Sequence, residues 1–299
     1  MTALFPRIIQ PRGPTYVMPF GLTGGTAYLQ GEAEADNPAE YESSTPTTAN
    51  RTLTPKKLAV RFPYSEEMEE ESIVPILPEL RKSLARALGE GIEEAVISGD
   101  TTAAHMDTGR GIVSNDRRKA WDGLRHFCVS TLTTASKSLA TYSGDTLLSI
   151  QTAMEQEYVN PVSDVVIIIP SKLRAKTYFL VDNSTNKTVV FMRNTEMGDR
   201  TLLTGQIGDF FGSPVISSAW IPTDLNASGI YNGTTTDYTA LLVVNKRAWL
   251  LADRREVTIK LVDEPLKGRS NLVATWRGSF THMFGDAAVT TGMGYYITP

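Results

Sequence analysis

Nucleophilic or general-base chemistry near neutral pH would fall first to His105, His126, His282 and Cys128, the three histidines and single cysteine of the chain. The partners of a triad meet in space and not in sequence, so spacing alone does not exclude one. Yet His105 lies among turn residues, and His126 and His282 in β-like runs, where a lone imidazole usually serves as a structural hydrogen-bonder. Cys128, between Phe127 and Val129, reads as a small core residue. Two acidic runs, Glu32 to Glu42 and Glu66 to Glu71, could hold cations, but neither has the Asp-x-Asp-x-Asp-Gly spacing of a calcium loop. They read as solvated faces or contacts for a basic partner. Arg110, Arg117, Arg118 and Lys119, with Trp121 nearby, superficially suit nucleic acid; the cluster is small, and a protein partner fits better. The phosphate loop GxxxxGKS/T, the GxSxG elbow, HExxH and a strand–GxGxxG–helix unit are missing from the sequence. Gly21-Leu-Thr-Gly24-Gly25 reads as a turn. No catalytic residue, metal site or cofactor is expected.

Composition points the same way. Of 299 residues, 41% are hydrophobic and 21% charged, with 23 Gly and 16 Pro, which excludes collagen-like, disordered and disulfide-scaffold classes. Lys and Arg total 29 against 33 Asp and Glu, a net charge of −4. A chain whose main task was to neutralise phosphates would lean basic. One cysteine excludes an internal disulfide and a Cys-rich zinc site. The longest uninterrupted apolar run, Val165 to Ile169, stops at Pro170, far short of the roughly 20 residues of a membrane span. The N-terminus lacks the apolar block of a signal peptide. A soluble protein made inside the cell, of one large or two moderate domains, is expected.

The elements follow from period and punctuation. Up to Phe20 the chain is broken by prolines and has no period, so an extended arm is expected. A strand-like piece at Thr26 to Leu29 leads into Glu32, Glu34, Asp36, Glu40 and Glu42, with no Lys or Arg between Arg12 and Arg51. Leu58, Val60 and Phe62 then alternate with Lys57, Ala59 and Arg61, which is strand periodicity. Two such flanks around a polar excursion make a projecting hairpin that needs a partner to lie on. Ile76, Leu80, Leu84, Leu88, Ile92 and Val96 recur at helical spacing, predicting a rod of about 30 Å that Gly99 stops. Gly89 and Gly91 weaken it by up to about 1 kcal/mol each unless a backbone packs closely there. A second helix is expected over Asp145 to Tyr158, and a buried strand over Val165 to Ile169 with Ser171 capping a helix through Leu180. Further strands are expected between Pro214 and Pro222, at Ala240 to Val244, Ala248 to Leu251 and Val257 to Val262, and in the stretch from Leu272 to Ile297. The fold class is α+β.

In order, Leu53-Thr-Pro-Lys-Lys-Leu-Ala-Val60, Tyr64-Ser-Glu-Glu-Met68, Glu71-Ser72, the long helix and Glu93-Glu-Ala-Val-Ile-Ser-Gly-Asp100 resemble the major capsid proteins of tailed bacteriophages with the Hong Kong 97-type fold. Gly111-Ile112-Val113, Val166-Ile-Ile-Ile-Pro170, Gly212-Ser-Pro-Val-Ile-Ser-Ser218, Ala248-Trp-Leu-Leu-Ala-Asp-Arg254 and Val257-Thr-Ile259 extend the likeness from about Gly21 to the C-terminus. Each motif is loose; their order and spacing together are more specific.

The resemblance implies an N-terminal arm (1–20), an extended loop (21–62), a peripheral domain with the spine helix (63–160 and 248–299) and an axial domain (161–247). It implies a non-enzymatic subunit that assembles with itself into pentamers and hexamers, forming an icosahedral head around double-stranded DNA held by proximity. Scaffold, portal and decoration proteins are candidate partners; a membrane is not. The protein would be made in the host bacterial cytoplasm and reside in the virion. Some members weld their shells through an extended-loop Lys; with no Lys before Lys56, no such crosslink is expected. The short arm leaves scaffolding to a separate protein, dispenses with it, or marks a processed chain. Arm and hairpin are expected to bury surface only on other copies, with Glu32, Glu34 and Asp36 facing Arg81, Arg86, Arg110 or Arg117 on neighbours. Two alternatives stand beside this: an encapsulin-type nanocompartment shell, against which the Pro-rich N-terminus counts, and an enzyme or ligand-binding module, for which no constellation was found.

Overall fold

The computed structural model describes residues 2–29, 43–65, 67–68, 76–180, 191–193, 206–285 and 288–299. Among these, β1 (Arg7–Ile9), β4 (Lys56–Ser65), β11 (Trp249–Glu264) and β12 (Arg269–His282) form a four-stranded sheet in the order β1-β11-β12-β4. A two-stranded ribbon pairs β2 (Tyr16–Thr23) with β3 (Thr47–Leu53). The seven-stranded sheet has the order β5-β13-β10-β6-β9-β8-β7. Its members are β5 (Ser136–Ser138), β6 (Val165–Pro170), β7 (Phe191–Arg193), β8 (Gln206–Phe210), β9 (Ser213–Ser218), β10 (Thr239–Asn245) and β13 (Thr291–Ile297). The main helices are α1 (Ile76–Ser98) and α2 (Gly144–Ala153); α3 (Gln156–Val159) and α4 (Arg174–Tyr178) are short.

The alternation of side chains along β6 and β10 makes two cores from one sheet. Val166, Ile168, Ala240, Leu242 and Val244 point to the side that also holds Leu84, Leu88, Ile92, Ala95 and Val96 of α1. Val165, Ile167, Ile169, Leu241 and Val243 point to the other, against Leu147 and Ile150 of α2. A strand covered on both faces must be apolar at every position, which is why Val165–Ile169 shows no period of two. Each such side chain contributes about 1.5–3 kcal/mol on burial. α1 also lies on the four-stranded sheet, through Leu272, Ala274 and Trp276 of β12 with half-buried Leu58, Val60 and Phe62 of β4. Lys57, Ala59 and Arg61 face outward, as the alternation requires.

Several expectations need correction. No strand forms at Thr26–Leu29; the ribbon's first strand is Tyr16–Thr23, inside and just beyond the expected arm. Pro19 is tolerated there because a two-stranded ribbon has a free edge for a residue without an N–H. The strand at Lys56–Ser65 belongs to the four-stranded sheet and not to the ribbon. The arm is not wholly loose: Phe5 is buried, and Arg7, Ile8 and Ile9 pair in parallel with Leu251, Ala252 and Asp253 of the same chain. The second helix breaks at Met154 and Glu155, and α2 packs on the seven-stranded sheet that contains β13. Ser143 caps α2 through a reciprocal bond with Thr146. Ser171 opens a 3-10 turn and makes no capping bond. The strands expected at Ala248–Leu251 and Val257–Val262 are one, β11, with register shifts around Arg255.

Candidate functional site

Two features stand out among the described residues: a polar knot at the end of α1 and a ribbon that leaves the subunit. The knot forms because α1 must stop where other backbones cross it. A Cβ on Gly99 would lie 2.3 Å from the carbonyl oxygens of both Ala95 and Trp121, so only glycine lets these chains meet. Just before it, Ser98 accepts a bond from Arg125 Nη1 at 2.9 Å. Arg125 is fully buried and grips Asp107 with both terminal nitrogens, at 3.0 and 3.1 Å. Its Nη2 also donates to the Gly229 carbonyl at 2.8 Å, while Asp107 accepts the Tyr231 N–H at 2.9 Å. One ion pair thus ties α1, the loop at 105–111 and the loop at 226–233. Burial alone would raise the Asp107 carboxyl; the Arg125 charge and its hydrogen bonds outweigh this and hold it below the usual carboxylate range.

Arg110 and Arg117 are engaged in the same region. Arg110 pairs with Asp224 and lies over the Tyr231 ring at 4.3 Å. Arg117 pairs with Glu94 of α1 and lies over Trp220 at 5.5 Å. Arg118 pairs with Asp116 at 2.7 Å, and Lys119 donates to the carbonyls of Thr102 and Ala103. The basic run that resembled a nucleic-acid patch is therefore an internal staple. Arg86 pairs with Glu90 one turn along α1 at 2.8 Å. Arg81 is exposed on the same helix and forms no ion pair among the described residues. Glu32, Glu34 and Asp36 lie outside the described residues. The four arginines are thus not brought together, and three of them, Arg86, Arg110 and Arg117, already pair within their own subunit.

The histidines and cysteine act as structure. His105 accepts the Asp107 N–H on Nδ1 at 3.0 Å, and burial pushes its imidazole down. His282 shares a 2.7 Å bond with Thr290 among Phe127, Trp249 and Phe284. Cys128 is buried and its thiol is pushed far up by burial, which removes it as a nucleophile. His126 stands between two carboxylates, Nδ1 3.3 Å from Asp100 and Nε2 3.9 Å from Asp122. These three are the one grouping among the described residues with metal-ligand spacing. Asp100 already accepts from Thr102 and Met106, and Asp122 Oδ1 from Thr101. The histidine bridging two acids is a cross-brace of the loop after α1. A crevice of about 500 Å³ above the knot is lined by Glu94, Asp107, Arg110, Arg118 and Asp224, whose charges are already paired. No constellation of these residues does chemistry.

The ribbon is different in kind. β2 and β3 pair only with each other. Their base is fixed by Leu53, buried against Leu250 and Ala252, by Gln10 donating to the Leu53 carbonyl, and by Arg51 donating to the Phe284 carbonyl at 2.7 Å. Val17 of β2 is exposed, as are Tyr28 and Leu29 in the segment that follows it. Away from its base the ribbon exposes Pro19, Gly21, Thr48 and Asn50, which no other strand among the described residues covers.

Solved structures with this arrangement cover nearly the whole chain. A chain from Microbacterium phage Oxtober96 superposes over 100% of this chain and 90% of its own, at TM-score 0.62 and 18% identity. One from Mycobacterium phage Cain does so over 99% and 89%, at 0.61 and 17%. The capsid of a native GTA particle matches over 99% and 89%, at 0.61 and 13%. A spine helix shared by two sheets, with a ribbon standing off them, is the Hong Kong 97-type capsid fold. The sequence pattern of the phage capsid family matches residues 7–280, and the chain belongs to that family, whose members are structural and not enzymes. The major capsid protein of Escherichia phage T5 is 24% identical over 234 residues. That match takes in 78% of this chain but only 45% of the T5 protein, so the chain spans about half the length of that relative.

Proposed function

We propose that this protein is the major capsid subunit of a tailed phage, assembling with itself into pentamers and hexamers that close an icosahedral head around double-stranded DNA. The observation that carries this reading is the β2–β3 ribbon, which buries only its base on its own subunit, in a chain that belongs to the phage capsid family. Head-to-tail contacts that close into rings would cover such a ribbon. In this assignment α1 with β1, β4, β11 and β12 is the peripheral domain, and the seven-stranded sheet with α2 is the axial domain. The acidic loop residues Glu32, Glu34 and Asp36 face cations on a neighbour. Of the four arginines first considered, Arg81 is the most open, because Arg86, Arg110 and Arg117 are already paired. Scaffold, portal and decoration proteins complete the head, and synthesis takes place in the host cytoplasm. The net charge of −4 suits a wall along which DNA slides.

Negative-stain microscopy and sedimentation of the purified protein test this. Closed particles of megadalton mass with nucleic acid inside support it, and a stable monomer at all concentrations overturns it. Shells filled with protein in place of nucleic acid would favour a nanocompartment.

A further inference from the structure

The loop that Arg125 ties to α1 carries the one Asn-Gly step of the sequence, Asn232-Gly233. Both residues are exposed. Asn232 Oδ1 accepts the backbone N–H groups of Thr234 at 3.0 Å and Thr235 at 3.1 Å. Gly233, at φ +78°, presents its N–H to no acceptor among the described residues, and the Asn232 side-chain nitrogen has no partner there either. Each feature has a counterpart in one reaction, the attack of a backbone nitrogen on the side-chain amide just before it. Two N–H groups aimed at a carbonyl oxygen are placed to hold the negative charge that develops there, as an oxyanion hole does. An N–H without a protein acceptor is free to lose its proton to hydroxide, and an amide nitrogen without a partner is free to leave. Glycine has no Cβ to obstruct the approach. Asn226 supplies an internal contrast: its Oδ1 accepts from Ser228 at 2.8 Å and Ile230 at 3.2 Å, but the residue after it is Ala227.

We infer that Asn232 is a site of spontaneous covalent modification, at which the folded loop promotes ring closure onto Gly233 and turns the residue into aspartate and isoaspartate. Hydroxide takes the proton from the Gly233 nitrogen, which then bonds to Asn232 Cγ. The bond from Cγ to Nδ2 breaks, and the nitrogen takes a proton from water and leaves as ammonia. Water opens the resulting succinimide at either carbonyl. Opening at Cγ restores the main chain and leaves aspartate; opening at the main-chain carbonyl leaves isoaspartate, whose main chain runs through Cγ. The balance is one water in and one ammonia out, with nothing oxidised or reduced. The position gives the product a consequence. A Cβ on Gly109 would lie 2.7 Å from both the Asn232 carbonyl carbon and the Gly233 nitrogen, so this peptide group rests on the loop at 105–111. Tyr231, just before it, gives its N–H to Asp107 and lies under Arg110. Isoaspartate inserts an extra methylene into the main chain at that contact and loosens the tie between the two loops that Arg125 joins. All of this takes place within one subunit and holds whether or not shells form.

The test uses the full wild-type chain, held for days at mildly alkaline pH, one sample folded and one unfolded in urea. Mass spectrometry of the folded sample should show the exchange of an amide for an acid, and peptide mapping should place it at Asn232. Its rate should equal or exceed the rate in urea, and Asn226 should convert at least tenfold more slowly. An isoaspartyl methyltransferase should label the same peptide. Absence of conversion, or a folded rate below the rate in urea, overturns the inference, because the loop would then protect the step. Conversion of Asn226 within tenfold of Asn232 overturns it as well, since the glycine would not matter. Asn232→Gln, whose ring closure needs a larger ring, should abolish the signal, and a signal that persists in this variant would place the chemistry elsewhere. Isoaspartyl chains separated by anion exchange should unfold at a lower urea concentration than unconverted chains; equal midpoints would overturn the loosening of the knot.

Discussion

A guanidinium and a carboxylate wholly inside a subunit are held by each other, and the Arg125–Asp107 pair shows how much depends on that. Removing one partner of a buried pair leaves an uncompensated charge, which costs about 3–5 kcal/mol. Asp107→Asn is therefore expected to lower unfolding free energy by that amount in urea titrations, and a loss under about 1 kcal/mol would show the pair to be dispensable. Because the Asp107 carboxyl is held low in the folded state, its contribution is present above the ordinary carboxylate value of about 3.9 and fades only as pH falls below it. His105 acts in a higher window. Burial holds its imidazole down, so on acidification below about 6.5 the unfolded chain takes up a proton that the folded chain resists. The unfolded state then binds more protons, and stability falls as pH falls. Urea midpoints measured at pH 7.5 and 5.5 should show this drop, and His105→Gln should flatten it; parallel behaviour of the two proteins would rule the residue out as the source.

A glycine inside α1 and one just past its end separate helix propensity from packing at the level of the element. A Cβ on Gly89 meets nothing within 4 Å, so Gly89→Ala is expected to raise stability by up to about 1 kcal/mol through helix propensity alone. Gly99→Ala would drive a methyl into two backbone carbonyls and is expected to cost at least about 3 kcal/mol. Calorimetry on the two variants should move the melting temperature in opposite directions. The sequence marks both glycines, but only the crossing of Trp121 over the helix end tells them apart. Where one element decides its own period, as in α1 and β4, the pattern was readable. It failed at β2, whose Pro19 argues against a strand unless its free edge is known. It failed again at β11, where Arg254-Arg255-Glu256 interrupts the apolar pattern and the register shifts occur. The Arg125 knot was invisible, since its bonds to Asp107 and Gly229 span 18 and 104 residues. The placing of Lys57, Arg61, Arg255, Lys260 and Arg277 on one surface was hidden for the same reason, since it requires the register of β4, β11 and β12.

The whole subunit divides into a part that folds and a part that joins. Both cores share the β6–β10 sheet, and α1 also covers the four-stranded sheet, so neither core can open without exposing the other. Unfolding should accordingly be a single cooperative transition. The ribbon lies outside both cores and is tied to the subunit at its base, by the small cluster around Leu53 and by Arg51 on the Phe284 carbonyl. Replacing residues 24–46 with an Asn-Gly turn would keep β2, β3 and that cluster and close the ribbon in a tight hairpin. The shortened chain is expected to unfold at the same denaturant concentration as the full one, with the same slope, because the described residues removed, 24–29 and 43–46, are exposed apart from half-buried Ser44. The same change is expected to abolish shells, leaving small oligomers or monomers in sedimentation. A fall in unfolding midpoint would mean the excised residues belong to the folded core. Shells of normal size from the shortened chain would mean that assembly does not need residues 24–46, and the joining role assigned to the far end of the ribbon would be wrong.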